Sequence, residues 1–337
     1  MKLGAPQNAI IVAQTSKSAV SRISKSANAR PFLKRRRLGS RRHRRFGNLR
    51  YEFCKGCKPA VVISLAATLF ANVARAELKT NIAYGTNGGQ ILLLDANVPD
   101  GAGPFPVVIA VHSGGWCGGD KSGTGDFAPV LKALTANQFT WFSIDYRLAP
   151  TNHWPACFED VQTAIRWVKA HAAEYKGDPN RIALLGYSAG GHLVCLAVTL
   201  AKADTRVQAV VGLAPPTDLV ADAERRGGVG RWPSMRDLLG RNSMNTETVK
   251  LLQQMSPLNY VKPGLPPFLL MQGDADDTVP PPFTRRFAAE LQRNGVPCRL
   301  YFLKGPDHRL ADWEKFDPTY QQKLVEWLNQ TLGPLKR

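Results

Sequence analysis

Gly186-Tyr187-Ser188-Ala189-Gly190 sets a serine among small neighbours, directly after the apolar run Ile182 to Leu185 and directly before a helical pattern from Ala189 to Leu200. A G-x-S-x-G alone says little. Between a strand and a helix it makes a sharp turn that exposes the serine hydroxyl as a nucleophile. The small neighbours leave room for the strained backbone such a turn needs, and the helix start favours developing negative charge. The alternative is a Gly-rich β-to-α turn without chemistry. A second segment, His112-Ser113-Gly114-Gly115-Trp116, follows the apolar run Pro106 to Val111. Attack on a carbonyl creates an oxyanion that needs N–H donors already in place, and one donor lowers the barrier by about 3–4 kcal/mol. The N–H groups of Gly114, Gly115 and Ala189 form the natural set, unless the segment is only a flexible loop.

A serine nucleophile needs a base, and the base an orienting acid. Of six histidines, His43 lies in a basic leader, His112 in the glycine segment, and His192 four residues beyond Ser188 on its helix, where it is expected to pack behind the turn. His153 and His171 precede the serine, against the order Ser…Asp…His. His308 fits, in the loop Gly305-Pro306-Asp307-His308 after the last strand pattern. The acid should follow the strand Pro267 to Met271. There Asp274, Asp276 and Asp277 all qualify, and periodicity does not choose among them. Neither the predicted chemistry nor any paired His/carboxylate spacing calls for a cofactor or a metal.

The elements that must position these groups read as follows. Thr80 to Tyr84 and Gln90 to Val98 flank the turn Thr86-Asn87-Gly88-Gly89 and predict an antiparallel hairpin. Strands are expected at 106–111, 140–146, 182–185, 207–213, 267–271 and 298–303, with helices at 127–136, 158–175, 189–200, 283–293 and 317–332. Apolar strands alternating with amphipathic helices predict an α/β fold, a mostly parallel sheet covered on both faces. Residues 214–262 break the rhythm and read as a cap-like insertion with short helices near Ser234–Leu239 and Thr246–Gln254.

The 337 residues carry a net charge of +18, which invites a polyanion- or nucleic-acid-binding reading. The charge is confined: residues 1–76 hold 17 Lys or Arg against the single acid Glu52, and the other 27 basic residues face 25 acids. A nearly neutral body predicts no nucleic-acid partner. Residues 1–50 hold no acid and predict disorder. Residues 55–76 read as a signal peptide: Lys55 and Lys58, then an apolar run from Pro59 to Phe70, then Ala74-Arg75-Ala76 for cleavage. That predicts a secreted or periplasmic protein beginning at Glu77. The run is shorter than the roughly 20 residues that span a bilayer, so no stable membrane anchor is expected. A later translation start, a twin-arginine leader and a mitochondrial presequence remain open. Cys54 and Cys57 form a C-x-x-C in the leader; Cys117 and Cys157 are a candidate disulfide, and Cys195 reads as a buried thiol.

Taken together, HSGGW, Gly119-Asp120-Lys121, Asp145-Tyr146-Arg147-Leu148-Ala149-Pro150, Glu159-Asp160-Val161, Arg166-Trp167-Val168, GYSAGGH, Ser256-Pro257 and Pro266-Pro267-Phe268-Leu269-Leu270 resemble the hormone-sensitive-lipase-like and feruloyl-esterase-like carboxylesterases of the α/β-hydrolase fold. The resemblance covers about residues 80–332. It implies an eight-stranded, mostly parallel sheet with an antiparallel N-terminal strand. It also implies a serine esterase of short-chain carboxylic esters, including acetyl or feruloyl esters of polysaccharides. An amidase, peptidase or aryl-formamidase of the same fold is the rival within enzymes. The family motif Gly-x-x-Asp-x-x-Val-Pro, laid on Gly273 to Pro280, selects Asp276 as the acid beside Ser188 and His308. Ser113 departs from the usual His-Gly-Gly-Gly. Asp145 and Asp160 read as structural, Trp116 and Tyr187 as candidate substrate-binding residues. The stretch Arg225 to Trp232 either shapes the cleft or forms a mobile loop.

Overall fold

The structure, a computed structural model, describes residues 76–123 and 125–333. The leader, its C-x-x-C and all of the signal-peptide reading except Ala76 lie outside the described residues. The strands are β1 (Glu77–Asn87), β2 (Gln90–Val98), β3 (Phe105–Val111), β4 (Thr140–Ile144), β5 (Gly177–Tyr187), β6 (Ala209–Leu213), β7 (Phe268–Gly273) and β8 (Cys298–Leu303). They form one sheet in the order β1-β2-β4-β3-β5-β6-β7-β8. β2 runs antiparallel to both of its neighbours, while every pairing from β4 and β3 through β7 and β8 is parallel. This is the sheet the sequence predicts.

The helices are α1 (Ala128–Ala136), α2 (Ala156–His171), α3 (Ala189–Thr199), α4 (Leu219–Arg225), α5 (Pro233–Leu239), α6 (Thr246–Met255), α7 (Pro281–Arg293), α8 (Trp313–Phe316) and α9 (Tyr320–Leu332). Side chains alternate across a strand, and the central strands are apolar on both sides because both faces are covered. Val107, Ile109 and Val111 of β3, with Ile182 and Leu184 of β5, pack into one core with α2, α3 and α7. Val108 and Ala110, with Ala183 and Leu185, pack into the other with α1 and α9. The insertion joins the first core through Trp232, Met235 and Leu238.

Element ends differ from the sequence reading where local chemistry intervenes. The predicted helix 158–175 starts earlier, at Ala156, and tightens into a 3-10 turn over Ala172–Tyr175. The predicted helix 317–332 starts at Tyr320, because Asp317 is extended and its carboxylate accepts from Thr319 N–H at 2.9 Å. α4 was not predicted, although its start is marked: Asp218 caps it by accepting from Ala221 N–H at 3.1 Å.

Candidate active site

Ser188 sits between β5 and α3 with φ +54° and ψ −117°, a conformation that costs a non-glycine residue about 1–3 kcal/mol. Three contacts hold it there. Ser188 N–H donates to Leu213 O at the end of β6 (2.8 Å), and Ser188 O accepts from His192 N–H (2.9 Å). Behind it, Gly190 lies against the end of β3, where a Cβ would stand 2.1 Å from Val111 O and 2.4 Å from His112 O. The turn therefore requires glycine at 190, and its hydroxyl is fixed by backbone packing on two neighbouring strands.

His308 follows β8 and reaches Ser188: Ser188 Oγ–H donates to His308 Nε2 at 2.8 Å. His308 Nδ1–H donates to Asp276 Oδ2, also at 2.8 Å. A carboxylate only accepts, so this pair fixes the tautomer and leaves the Nε2 lone pair toward the serine. Asp276 follows β7 and is 3% exposed. Its Oδ1 accepts from Val279 N–H (2.8 Å) and its Oδ2 also from Gln272 Nε2 (3.1 Å). Gln272 donates as well to Val279 O. Asp274 ties its loop to the loop after β8, its carboxylate accepting from Gly305 N–H at 2.6 Å, and Asp277 is exposed. Among the three candidate acids, Asp276 is the one brought to His308. All these groups sit at the carboxyl ends of parallel strands, where such sheets gather their sites.

The glycine segment leaves β3 beside the serine. Gly115 and Ala189 line a cleft of about 330 Å³ together with Ser188. Ala189 opens α3, so its N–H has no intrahelical acceptor. Gly114 stands next to Gly115 and closes a tight turn, its carbonyl accepting from Cys117 N–H (3.1 Å) and Gly118 N–H (3.0 Å). Its φ of +112°, and a phantom Cβ 2.1 Å from Gly118 O, exclude a side chain there. Ser113 in the first glycine's place is accommodated: its carbonyl meets His112 Nδ1 at 2.7 Å and Tyr146 Oη at 3.4 Å, and His112 stacks on Tyr146 with ring centres 4.2 Å apart.

Trp116 lines the cleft while 2% exposed. Its Nε1–H donates to His192 Nδ1 at 3.2 Å, and His192 Nε2–H donates to Met255 O at 2.7 Å. His192 is thus a neutral, fully paired packing residue behind the turn, with burial pulling its pKa down to about 4. Tyr187 corrects its expected place at the substrate. It is 3% exposed, and its hydroxyl donates to His308 O (2.6 Å) and accepts from Leu310 N–H (3.3 Å). It pins the His308 loop instead. The candidate Cys117–Cys157 bridge is not formed. Both thiols are free: Cys117 Sγ–H points to Ser234 O at 3.6 Å, and burial pushes the Cys157 thiol up to about 12.

Asp160 and Asp145 do act structurally. Fully buried Asp160 takes Arg147 Nε (2.9 Å) and Nη2 (2.8 Å), and Asp145 takes Lys121 N–H at 2.6 Å. The stretch Arg225 to Trp232 contributes two side chains to the cleft, Arg226 and Trp232. Sequence reasoning missed Gln272, whose signal is a lone polar residue ending the apolar run Phe268–Met271. Among the described residues no cluster of three or more His, Cys, Asp or Glu is placed to hold a metal ion, and no helix is long and apolar enough to cross a membrane.

The family model BD-FAE matches residues 94–291. The chain is similar to the probable carboxylic ester hydrolase LipM of Mycobacterium tuberculosis, 35% identical over 228 residues, which is 63% of this chain and 51% of that protein. It is 32% identical over 268 residues to the esterase LipC of the same organism, 75% of this chain and 65% of that protein. The chain thus spans about half to two thirds of these relatives. Among solved structures, propionate-bound esterase 2 of Thermogutta terrifontis is 25% identical with a TM-score of 0.61, covering 78% of this chain and 96% of that one. A truncated carbohydrate esterase from gut microbiota shares the fold at 23% identity and a TM-score of 0.66, covering 78% of this chain and 98% of that one.

Proposed function

The chain belongs to the BD-FAE family of α/β-hydrolase esterases, and from that we propose that it hydrolyses short-chain carboxylic esters through an acyl-enzyme on Ser188. The observation that carries the reading is the unbroken pair of 2.8 Å hydrogen bonds from Ser188 to His308 to Asp276. His308 Nε2 takes the Ser188 proton as Oγ attacks the ester carbonyl. The N–H groups of Gly115 and Ala189, with Gly114 beside them, face the oxyanion. His308 then gives its proton to the departing alcohol. Water repeats the sequence on the acyl-enzyme and frees the acid. Asp276 fixes the imidazole and offsets its positive charge while it carries the proton. Tyr187 and Gln272 hold the two loops on which His308 and Asp276 ride.

The small cleft, walled by Trp116 and Trp232, supports a short acyl group. So does the propionate in the Thermogutta esterase. The carbohydrate-esterase neighbour supports acetyl or feruloyl esters of polysaccharides as substrates. Cleavage after Ala76 would deliver such an enzyme outside the cytoplasm, and the apolar run with its small-x-small end supports export. N-terminal sequencing of protein recovered outside the cytoplasm tests that: a start at Glu77 supports it, and a start well before it removes it. The activity is tested with 4-nitrophenyl esters from acetate to long chains, beside acetylated xylan, on wild type and Ser188→Ala. Fast acetate turnover lost in the variant is the expected result; equal rates for both proteins end the proposal.

A further inference from the structure

Arg226 is the one charged side chain among the described residues that line the Ser188 cleft. The rest of the lining is small or apolar, dominated by Trp116, Trp232, Pro216, Pro233 and Val279. Three contacts fix the guanidinium. Nε–H donates to Asp222 Oδ1 at 3.2 Å, Nη2–H donates to Thr278 O, and Cζ lies over the Trp232 ring, 4.5 Å from its centre. Nη1 has no protein acceptor among the described residues. Asp222 does not neutralise the group, because the same Oδ1 also takes Arg225 Nε (2.9 Å) and Nη2 (2.6 Å). One buried carboxylate between two guanidiniums leaves a surplus positive charge at the cleft wall.

We propose that Arg226 is a specificity-determining residue that binds a carboxylate carried by the ester substrate; this rests on Ser188 being the nucleophile. A guanidinium edge matches a carboxylate better than it matches a hydroxyl or a carbonyl. In an apolar cleft its field is weakly screened. An apolar substituent in that place would cover the Nη1 donors without pairing them, which costs free energy. The stack on Trp232 and the bond to Thr278 O hold the cation ready, so little side-chain freedom is lost on binding.

The test uses two matched substrate pairs on wild type and Arg226→Gln. For a carboxylate on the acyl side, 4-nitrophenyl hemisuccinate is set against 4-nitrophenyl pentanoate. For one on the alcohol side, 3-acetoxybenzoate is set against 3-acetoxybenzamide. In at least one pair the wild type should favour the anion, and Arg226→Gln should cut the anion-to-neutral ratio of kcat/KM about 10- to 100-fold, the range for a hydrogen bond to a charged group. Arg226→Lys should recover part of it, and added salt should erode the wild-type preference. A purely structural role would lower both members of a pair alike. Asp222 keeps Arg225 in the variant, so its charge is not stranded, and thermal unfolding checks the fold. No anion preference in either pair, or a preference that survives Arg226→Gln, overturns the proposal. Binding of monomethyl succinate and of 3-acetoxybenzoate to Ser188→Ala by calorimetry, with and without Arg226→Gln, gives a readout that needs no turnover. Absent esterase activity alongside Arg226-dependent binding sinks the nucleophile assignment alone; binding of both monomethyl succinate and 3-acetoxybenzoate that is indifferent to Arg226 sinks the present one.

Discussion

Ser188 and Arg226 face the same cleft but are held there by different means. The position of Ser188 comes from main chain: a left-handed φ of +54°, a bond to Leu213 O, and Gly190 pressed on the carbonyls of Val111 and His112. The position of Arg226 comes mostly from side chains, the shared carboxylate of Asp222 and the face of Trp232, with a single main-chain contact at Thr278 O. Main-chain contacts leave almost no freedom, because a backbone oxygen cannot move without moving its strand. Side-chain contacts can be exchanged residue by residue. The cleft therefore joins a half held by main chain, where we propose the chemistry occurs, to a half held largely by side chains, where we propose the substrate is selected.

The sharpest way to break this contrast is at the rigid half. Ser188→Ala removes only an oxygen, and turnover of a short nitrophenyl ester should fall by about 10⁴-fold or more, as when a member of a serine triad is lost. The melting temperature should stay within a few degrees of wild type. Gly190→Ala should do the reverse, adding one methyl and no chemistry. Its Cβ would stand 2.1 Å from Val111 O, and backbone must shift to admit it. We expect a loss of about 4 kcal/mol or more, at the severe end for a point substitution, read as a lower urea midpoint. An alanine at 190 with wild-type stability would show that the turn is not held by backbone contact.

The same division explains what was legible in the sequence. Gly186, Ser188 and Gly190 are visible as letters because backbone geometry demands particular residue types at fixed spacing. The sheet was legible for a similar reason: β3 and the second half of β5, from Ile182, are buried on both faces and read as continuous apolar runs. Asp276 was not separable from Asp274 and Asp277 by periodicity, because all three lie in one turn. Only tertiary structure distinguishes the one buried against His308, and the family motif supplied what periodicity lacked. Tyr187 was misplaced because its position beside Ser188 says nothing about which way the ring points. Arg226 was legible only as part of the stretch Arg225 to Trp232; nothing singled it out within that stretch, since its neighbours in space, Asp222, Trp232 and Thr278, follow no local rule.

His192 links the two halves, reaching Trp116 on one side and Met255 O on the other. Burial lowers its pKa from 6.5 to about 4. The unfolded chain therefore binds a proton that the folded one refuses. The stabilisation is whole above pH 6.5 and is lost as pH falls toward 4, where the folded form protonates too. At 1.36 kcal/mol per pH unit the full drop is about 3 kcal/mol. His112, lowered in the same direction by burial, adds to it. Unfolding free energy measured in urea should fall between pH 6.5 and 5, and His192→Gln should flatten that slope. An identical slope in the variant would show that His192 does not carry the acid sensitivity.

The smallest effect tests whether the rigid half is rigid throughout. His308 rides on a loop, and the loop is tied to the elbow by one side-chain hydroxyl, Tyr187 Oη, which donates to His308 O and accepts from Leu310 N–H. Tyr187→Phe deletes that tie and keeps the ring, whose centre lies 5.3 Å from the imidazole. A buried neutral hydrogen bond contributes about 1 kcal/mol, so kcat for acetate should fall about fivefold with KM little changed, because the group lost orients the base and does not touch substrate. If KM rises instead while kcat holds, Tyr187 belongs to the selecting half after all, and the boundary between the halves runs through the elbow itself.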